Sequence, residues 1–188
     1  MMSQFEFIFT LYSLLLGLSL VELISGLGRT LKARLHVEAA LKIGLLTPLL
    51  GFFVMLDLLS FWSAAWAVRE LISVTGVTLM AIMLFASSYY LAAHLVFPDV
   101  IPPDGDLDKH YFRVRRVVIG VLFILLCVQL GFYLSQAELA PRLAAPMPLA
   151  LTAVLVMLMA SACFVKSKAA NVVVLVALIC RYVIVYAL

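Results

Sequence analysis

The sequence predicts an all-α integral membrane protein, a bundle of six transmembrane helices joined by short loops. Hydrophobic residues make up 66% of the 188 residues and charged residues 12%, whereas soluble domains average about 45–50% and about 25%. The mean hydropathy is +1.19. The apolar runs are continuous over the roughly 20 residues that a helix needs to cross the hydrocarbon core, while β-barrel strands would alternate apolar and polar positions. The remaining linkers leave no room for a soluble domain.

Charged residues divide the chain into six apolar windows. The predicted spans cover residues 7–27, 43–68, 71–96, 117–137, 143–165 and 169–188. The leader MMSQFE has no Lys or Arg and no small-residue cleavage pattern follows it, so the first span is expected to stay in the mature protein. Within that span, Ser13 and Gly17 form a small-xxx-small pair, which allows close contact with another helix. Pro146 and Pro148 open the fifth span, where a missing N–H donor costs little.

The connection FPDVIPPDGDLDKHYFRVRR at residues 97–116 is the loop whose sequence predicts most about the structure. Its prolines and Gly105 end one helix, and acidic residues then precede the next apolar run. Acids favour a helix N-terminus. We therefore expect the fourth helix to begin near Asp106.

The distribution of basic residues predicts the orientation. Ten of the 13 Lys and Arg residues lie in one set of connections: Arg29, Lys32, Arg34, Lys42, Lys109, Arg113, Arg115, Arg116, Lys166 and Lys168. Short cytoplasmic loops are enriched in such residues, which predicts a protein of the bacterial inner (cytoplasmic) membrane with both termini in the periplasm. Aromatic residues that favour an interface fall near the predicted outer ends: Trp62, Trp66, Tyr133, Tyr182 and Tyr186.

Asp57 is the main candidate functional residue because it lies midway along the second span. An acid at the bilayer centre costs about 2.5–3.5 kcal/mol, so Asp57 must face the bundle interior, be protonated or have a partner. Ser60 lies one turn away. Arg181, in the last span, is the candidate charged partner, although its length also allows it to reach the outer surface.

Glu22 is the second intramembrane acid, towards the cytoplasmic end of the first span. Ser87, Tyr90 and His94 share one face of the third span. Together with Asp57, these groups predict a hydrated path for an ion or a small polar substrate from the midplane to the cytoplasm. In the alternative interpretation the acids only join helices, and Glu22 extends to the interface.

The predicted partners follow from composition and charge. The sequence pI is near 8.8, and Arg113, Arg115 and Arg116 are expected to contact anionic lipid headgroups of the bilayer. No nucleic-acid partner is expected, since no soluble face is available. A homo-oligomer or a complex with another membrane protein is expected because six short helices enclose only a small pathway.

No cofactor or metal is predicted. Haem requires axial ligands at matched depth on facing helices, but all three histidines lie at or beyond the predicted cytoplasmic boundary: His36, His94 and His110. The acidic loop at 104–108 begins like a calcium loop, but Lys109 and Arg115 occupy the positions that require Gly and Glu. The HExxH, GxSxG and P-loop motifs are absent, so the sequence disfavours an enzyme and leaves one possible only through a different motif.

The segments FPDVIPPDGDLDKHYFRVRR and FEFIFTLYSLLLGLSLVELISGLGR together carry a resemblance. With this opening helix, the FPD turn, the acidic loop and the HYF-to-RR run, the chain resembles small multi-pass inner-membrane proteins of proteobacteria. The resemblance implies an inner-membrane location and no particular activity.

Two classes of function stay open at this stage. A proton- or ion-coupled transporter or channel subunit for a small solute predicts a hydrated Asp57 whose neutralisation abolishes flux. A non-catalytic accessory, sensory or assembly protein that binds another membrane protein predicts a dry Asp57 and tolerance of Asp57→Asn.

Overall fold

The predicted fold class is confirmed. The computed structural model describes residues 4–35, 44–100 and 106–187, and in these residues it is 86% helical with no strands. The helices are α1 (Gln4–Leu35), α2 (Leu46–Ala67), α3 (Gly76–Val96), α4 (Leu107–Ser135), α5 (Ala140–Leu143), α6 (Pro146–Phe164) and α7 (Lys168–Ala187). All except the short α5 are long and apolar enough to cross a membrane. The chain is therefore a polytopic membrane protein.

Helix α2 lies at the centre of the bundle. The neighbouring pairs α1–α3, α3–α4, α4–α6, α6–α7, α7–α2 and α2–α1 form a closed ring, and α2 also contacts α3 and α4. In its most apolar window 39% of α2 is buried, against 17–28% for the other five long helices. A polar side chain in the middle of α2 is consequently surrounded by protein.

The helices α1 and α4 extend beyond the predicted spans, and α3 begins later than predicted. Helix α1 continues to Leu35, whereas the first span was predicted to end at residue 27, and α4 begins at Leu107, whereas the fourth span was predicted from residue 117. The third span was predicted from residue 71, but α3 begins at Gly76, and residues 68–75 form a turn and an extended segment. The Thr75 side chain accepts a hydrogen bond from the Thr78 N–H at 3.1 Å, which caps the helix N-terminus at this point. The prediction for α4 is confirmed, because Asp106 caps it by accepting from the N–H groups of Asp108 and Lys109.

Phe97, directly after α3, fixes the positions of α1 and α2 around it. Its ring is buried against two glycines: a Cβ at Gly26 would lie 2.6 Å from the ring and a Cβ at Gly51 would lie 2.8 Å from it. Both positions therefore require glycine. Nothing lies within 4 Å of a Cβ built at Gly17, so the close approach on α1 is at Gly26 and not at the Ser13–Gly17 pair that would allow one.

One end of the bundle is rich in basic residues, and we call it the basic end. It contains the end of α1, the start of α2, the end of α3, the start of α4 and the connection between α6 and α7. Asp108 joins these elements by accepting from the Leu46 N–H at 3.3 Å and from Lys168 Nζ at 3.3 Å. The Thr47 hydroxyl donates to the Leu107 carbonyl at 2.7 Å. His36, Lys42 and Asp104, discussed above, lie outside the described residues.

The outer surface of the bundle is apolar. Large hydrophobic side chains are exposed along every long helix, among them Leu14, Phe52, Leu84, Ile124, Met157 and Val173. Such continuous exposure of apolar side chains around a bundle implies contact with the lipid bilayer.

Candidate functional site

Asp57 holds the centre of the bundle together through two tyrosines. Asp57 lies on α2 and is 4% exposed. Its carboxylate lies between Tyr89 on α3 and Tyr182 on α7. The Tyr182 hydroxyl donates a hydrogen bond to Asp57 Oδ1. The Tyr89 hydroxyl lies 3.3 Å from Asp57 Oδ2 and 2.6 Å from the Val54 carbonyl oxygen. A single carboxylate thus connects three helices.

The geometry at Tyr89 fits both protonation states of Asp57. A phenol has one proton, and the nearer acceptor is the Val54 carbonyl. While Tyr89 donates to Val54, its oxygen can accept a hydrogen bond from a neutral Asp57. When Asp57 is ionised, the Tyr89 hydroxyl can instead donate to it. The same contacts therefore satisfy Asp57 with and without its proton.

Neither partner proposed for Asp57 from the sequence forms the expected contact. No Lys, Arg or His among the described residues is within ion-pair distance of Asp57. Arg181 is half-buried, its guanidinium lies 4.8 Å from the centre of the Tyr182 ring, and its Nε is buried without a hydrogen bond. Ser60 is not a hydrogen-bond partner of Asp57. Tyr182, expected at an interface, is instead a buried donor.

A cavity lies further along α2 than Asp57, from Phe61 towards the end of the bundle away from the basic end. It has a volume of about 430 Å³ and lies between α1, α2, α3 and the end of α4. Most of its lining is apolar, and its polar groups include Tyr12, Gln129 and Tyr133. The Tyr12 hydroxyl donates to the Phe61 carbonyl at 3.2 Å, one helical turn from Asp57. The inner wall of the cavity is therefore about one turn of α2 from the buried acid.

Glu22 and His94 lie together at the basic end. Glu22 Oε1 is 3.2 Å from His94 Nδ1 and 3.4 Å from Arg29 Nη2. The Tyr90 ring stacks on the His94 ring, with centroids 6.2 Å apart and planes at 15°. In the described residues, no chain of hydrogen bonds connects this group to Asp57, and Ser87, although half-buried, is not a partner in either group. The Asp57 cluster and the Glu22–His94 cluster are therefore separate.

Arg115 is buried and does not have the exposed position that a residue in contact with lipid headgroups requires. Its residue is 3% exposed, whereas Arg113 and Arg116 are exposed. Its Nη1 donates to Asn171 Oδ1 at 2.8 Å and to the Val165 carbonyl, and its guanidinium lies 4.6 Å from the centre of the Phe112 ring. Arg115 therefore joins α4 to the α6–α7 connection, and the expected headgroup contact applies at most to Arg113 and Arg116.

Sequence reasoning missed Tyr89, Tyr182 and Asn171 as partners of charged groups. The sequence did contain one signal for these three residues. Each is a polar residue that lies about as deep in its predicted span as a charged residue lies in another span. The rotation of each helix about its axis was the missing information, since it decides which of these side chains faces inward.

Comparisons with protein families, with curated proteins and with solved structures find no match for this chain.

Proposed function

We propose that the protein moves protons, or a small solute coupled to protons, across the membrane, with Asp57 as the group that takes up and releases the proton. The observation that carries this proposal is the arrangement of Asp57 with Tyr89 and Tyr182, which satisfies the acid in both protonation states. An ionisable residue inside a membrane bundle marks a proton or ion pathway as the default hypothesis.

The presence of an acid at position 57 supports this proposal over a purely structural role. An asparagine could accept from Tyr182 with its oxygen and donate to Tyr89 with its amide nitrogen. It would do so without the cost of about 2.5–3.5 kcal/mol that an acid carries at the bilayer centre. Joining α2, α3 and α7 does not require a carboxylate, whereas binding a proton does.

The two polar regions on either side of Asp57 supply the outline of a route. The cavity reaches Tyr12 and Phe61 on one side, and the group of Glu22, His94 and Arg29 lies towards the basic end. Asp57 is buried, as are its neighbours Phe53 and Leu58 on α2, and it is not among the residues that line the cavity. Proton movement along this route therefore requires a change in side-chain or helix packing around Asp57.

Proton flux in proteoliposomes tests the proposal. The purified full-length chain is reconstituted with an internal pH-sensitive dye under an imposed pH gradient and a clamped membrane potential. We expect flux above that of empty liposomes for the wild type, and background flux for Asp57→Asn. Glu70→Gln is the matched control because Glu70 is an exposed acid between α2 and α3; its flux should equal that of the wild type.

Two results would reject the proposal. One is wild-type flux no higher than that of empty liposomes. The other is wild-type flux retained in Asp57→Asn, which would remove Asp57 from the pathway.

The second candidate function is a non-catalytic accessory, sensory or assembly role with another membrane protein. The burial of Asp57 favours this second candidate. An accessory protein of this kind is expected to have an Asp57 without contact to water, and the residue is 4% exposed. Absence of flux in a wild-type protein that is folded and fully inserted would favour this candidate. An oligomer, or a complex with a membrane-protein partner, is part of both proposals, and the mass of the detergent-solubilised particle measures it.

We also propose the inner-membrane orientation predicted from the sequence, with the basic end in the cytoplasm. Arg29, Lys32, Arg113, Arg116, Lys166 and Lys168 are placed at one end of the helices, which supports it under the positive-inside rule. In a cysteine-free background, a membrane-impermeant maleimide added to spheroplasts should label Ser73→Cys and leave Ser167→Cys unlabelled. Both positions are exposed loop residues at opposite ends. Labelling of Ser167→Cys alone would invert the orientation.

A further inference from the structure

We propose that Glu22, His94 and Asp99 form a binding site for a divalent transition-metal ion such as Zn²⁺ or Co²⁺. One ligand atom from each residue lies within 4.8 Å of the other two. The three residues come from α1, from the last turn of α3 and from the segment that follows α3. The site lies at the basic end and is separate from the Asp57 cluster.

The local packing brings these three side chains together. Helices α1 and α3 form the most extensive helix pair of the bundle. Phe97 packs against Gly26 of α1, so the chain leaves α3 close to α1 and Asp99 follows two residues later. The stacked Tyr90 ring supports the His94 imidazole. The fold therefore positions two carboxylates and one imidazole on different elements at one place.

A second observation at His94 points to a ligand. The His94 side chain is 41% exposed, but its Nδ1 atom is buried and forms no hydrogen bond, and Glu22 Oε1 lies 3.2 Å from it as an ion-pair contact. The contact has the distance of an ion pair but not the direction of a hydrogen bond. A buried imidazole nitrogen without a partner costs free energy, and a metal ion bound by Nδ1 would satisfy it.

The ligand set selects the class of metal. Zn²⁺ binds His nitrogen and carboxylate oxygen at about 2.0–2.2 Å in tetrahedral geometry, which places ligand atoms about 3.4 Å apart. Closing from at most 4.8 Å to that spacing requires movement of the Glu22 and Asp99 side chains only. Ca²⁺ and Mg²⁺ prefer all-oxygen sites, so the imidazole favours a transition metal. Three protein ligands leave one position open to water or another ligand.

Arg29 is the competitor for this site. Its Nη2 lies 3.4 Å from Glu22 Oε1, the same oxygen that approaches His94. A metal ion at Glu22 must displace the Arg29 guanidinium, because two cations would share one carboxylate oxygen. Removing the Arg29 charge should therefore strengthen metal binding, which a merely structural cluster would not predict.

Titration with Co²⁺ tests this proposal. The full-length protein is purified in detergent without a polyhistidine tag, and binding is followed by the visible ligand-field absorption and by competition with Zn²⁺. We expect one Co²⁺ per chain, loss of binding in His94→Ala, and binding at least about tenfold weaker in Glu22→Gln and Asp99→Asn. Arg29→Gln should bind more tightly than the wild type.

The matched control is His110→Ala. His110 is a neighbouring half-buried histidine on α4 whose Nε2 lies 3.2 Å from the Leu95 carbonyl oxygen, and its replacement should leave Co²⁺ binding unchanged. Asp99 is exposed, so Asp99→Asn tests the site even if His94→Ala does not fold. The proposal is wrong if the wild type binds no Co²⁺ or Zn²⁺, or if Asp99→Asn binds Co²⁺ as tightly as the wild type.

Discussion

Replacing Arg115 with alanine is expected to lower the free energy of unfolding by about 2–4 kcal/mol. The guanidinium donates to Asn171 Oδ1 and to the Val165 carbonyl, and it packs on the Phe112 ring. Hydrogen bonds to charged groups contribute about 1.5–3 kcal/mol each. The loss is less than their sum because Tyr111 still donates to Asn171 Oδ1, and Asn171 Nδ2 still donates to the Val165 carbonyl.

Arg116→Ala is the matched control for this prediction. Arg116 is the next residue on α4, carries the same charge, is exposed and makes one hydrogen bond, from Nε to the Cys163 carbonyl at 3.2 Å. Its replacement should change stability by no more than about 0.5 kcal/mol. Unfolding in mixed micelles, followed by helix content, measures both variants. Equal stability of the two variants would contradict a structural role for Arg115. It would favour the contact with lipid headgroups that was predicted from the sequence.

The same residues illustrate what the sequence could and could not predict. Arg113, Arg115 and Arg116 look alike as a basic cluster beside a span. Successive helical residues point about 100° apart, so only one direction faces the α6–α7 connection. Composition places all three at the membrane boundary but does not determine the rotation of α4, and so it could not single out Arg115.

Helix ends were predictable where a charge or a cap coincides with a change in hydropathy. Asp106 marks the start of α4 in both the sequence and the structure. The start of α3 was placed too early because Leu71, Ile72 and Val74 are apolar and hydropathy alone counts them into the span. The cap signal was present in Thr75, which accepts from the Thr78 N–H, but continuous apolar character outweighed it in the prediction.

Asp57 was identifiable from the sequence, and its partners were not. A lone acid inside an apolar run is visible in any single chain, whereas its neighbours depend on how α2, α3 and α7 pack. The sequence offered Arg181 as partner by charge. The structure brings Tyr89 and Tyr182 instead, since phenols satisfy a buried acid without placing a second charge in the core.

A double-mutant cycle between Asp57→Ala and Tyr182→Phe is expected to give a coupling free energy of about 1–3 kcal/mol. Asp57→Ala leaves the buried Tyr182 hydroxyl without its acceptor. Tyr182→Phe leaves the buried Asp57 carboxylate without this donor. The double replacement removes both groups and should cost less than the sum. Unfolding in mixed micelles measures all four proteins. A coupling near zero would mean that Tyr182 does not bond to Asp57 in the membrane protein.

Tyr111→Phe combined with Asp57→Ala is the control cycle, because the hydroxyl of this buried tyrosine donates to Asn171, at the other end of α7 from Tyr182, and not to Asp57. Its effects should add to within about 0.5 kcal/mol. The double-mutant cycle between Asp57→Ala and Tyr182→Phe is also needed to interpret the flux measurement. Asp57→Asn keeps an acceptor for Tyr182 and should fold, so a loss of flux in that variant reports the missing proton site. Strong coupling to Tyr182 together with unchanged flux in Asp57→Asn would make the acid a connector of α2, α3 and α7 alone.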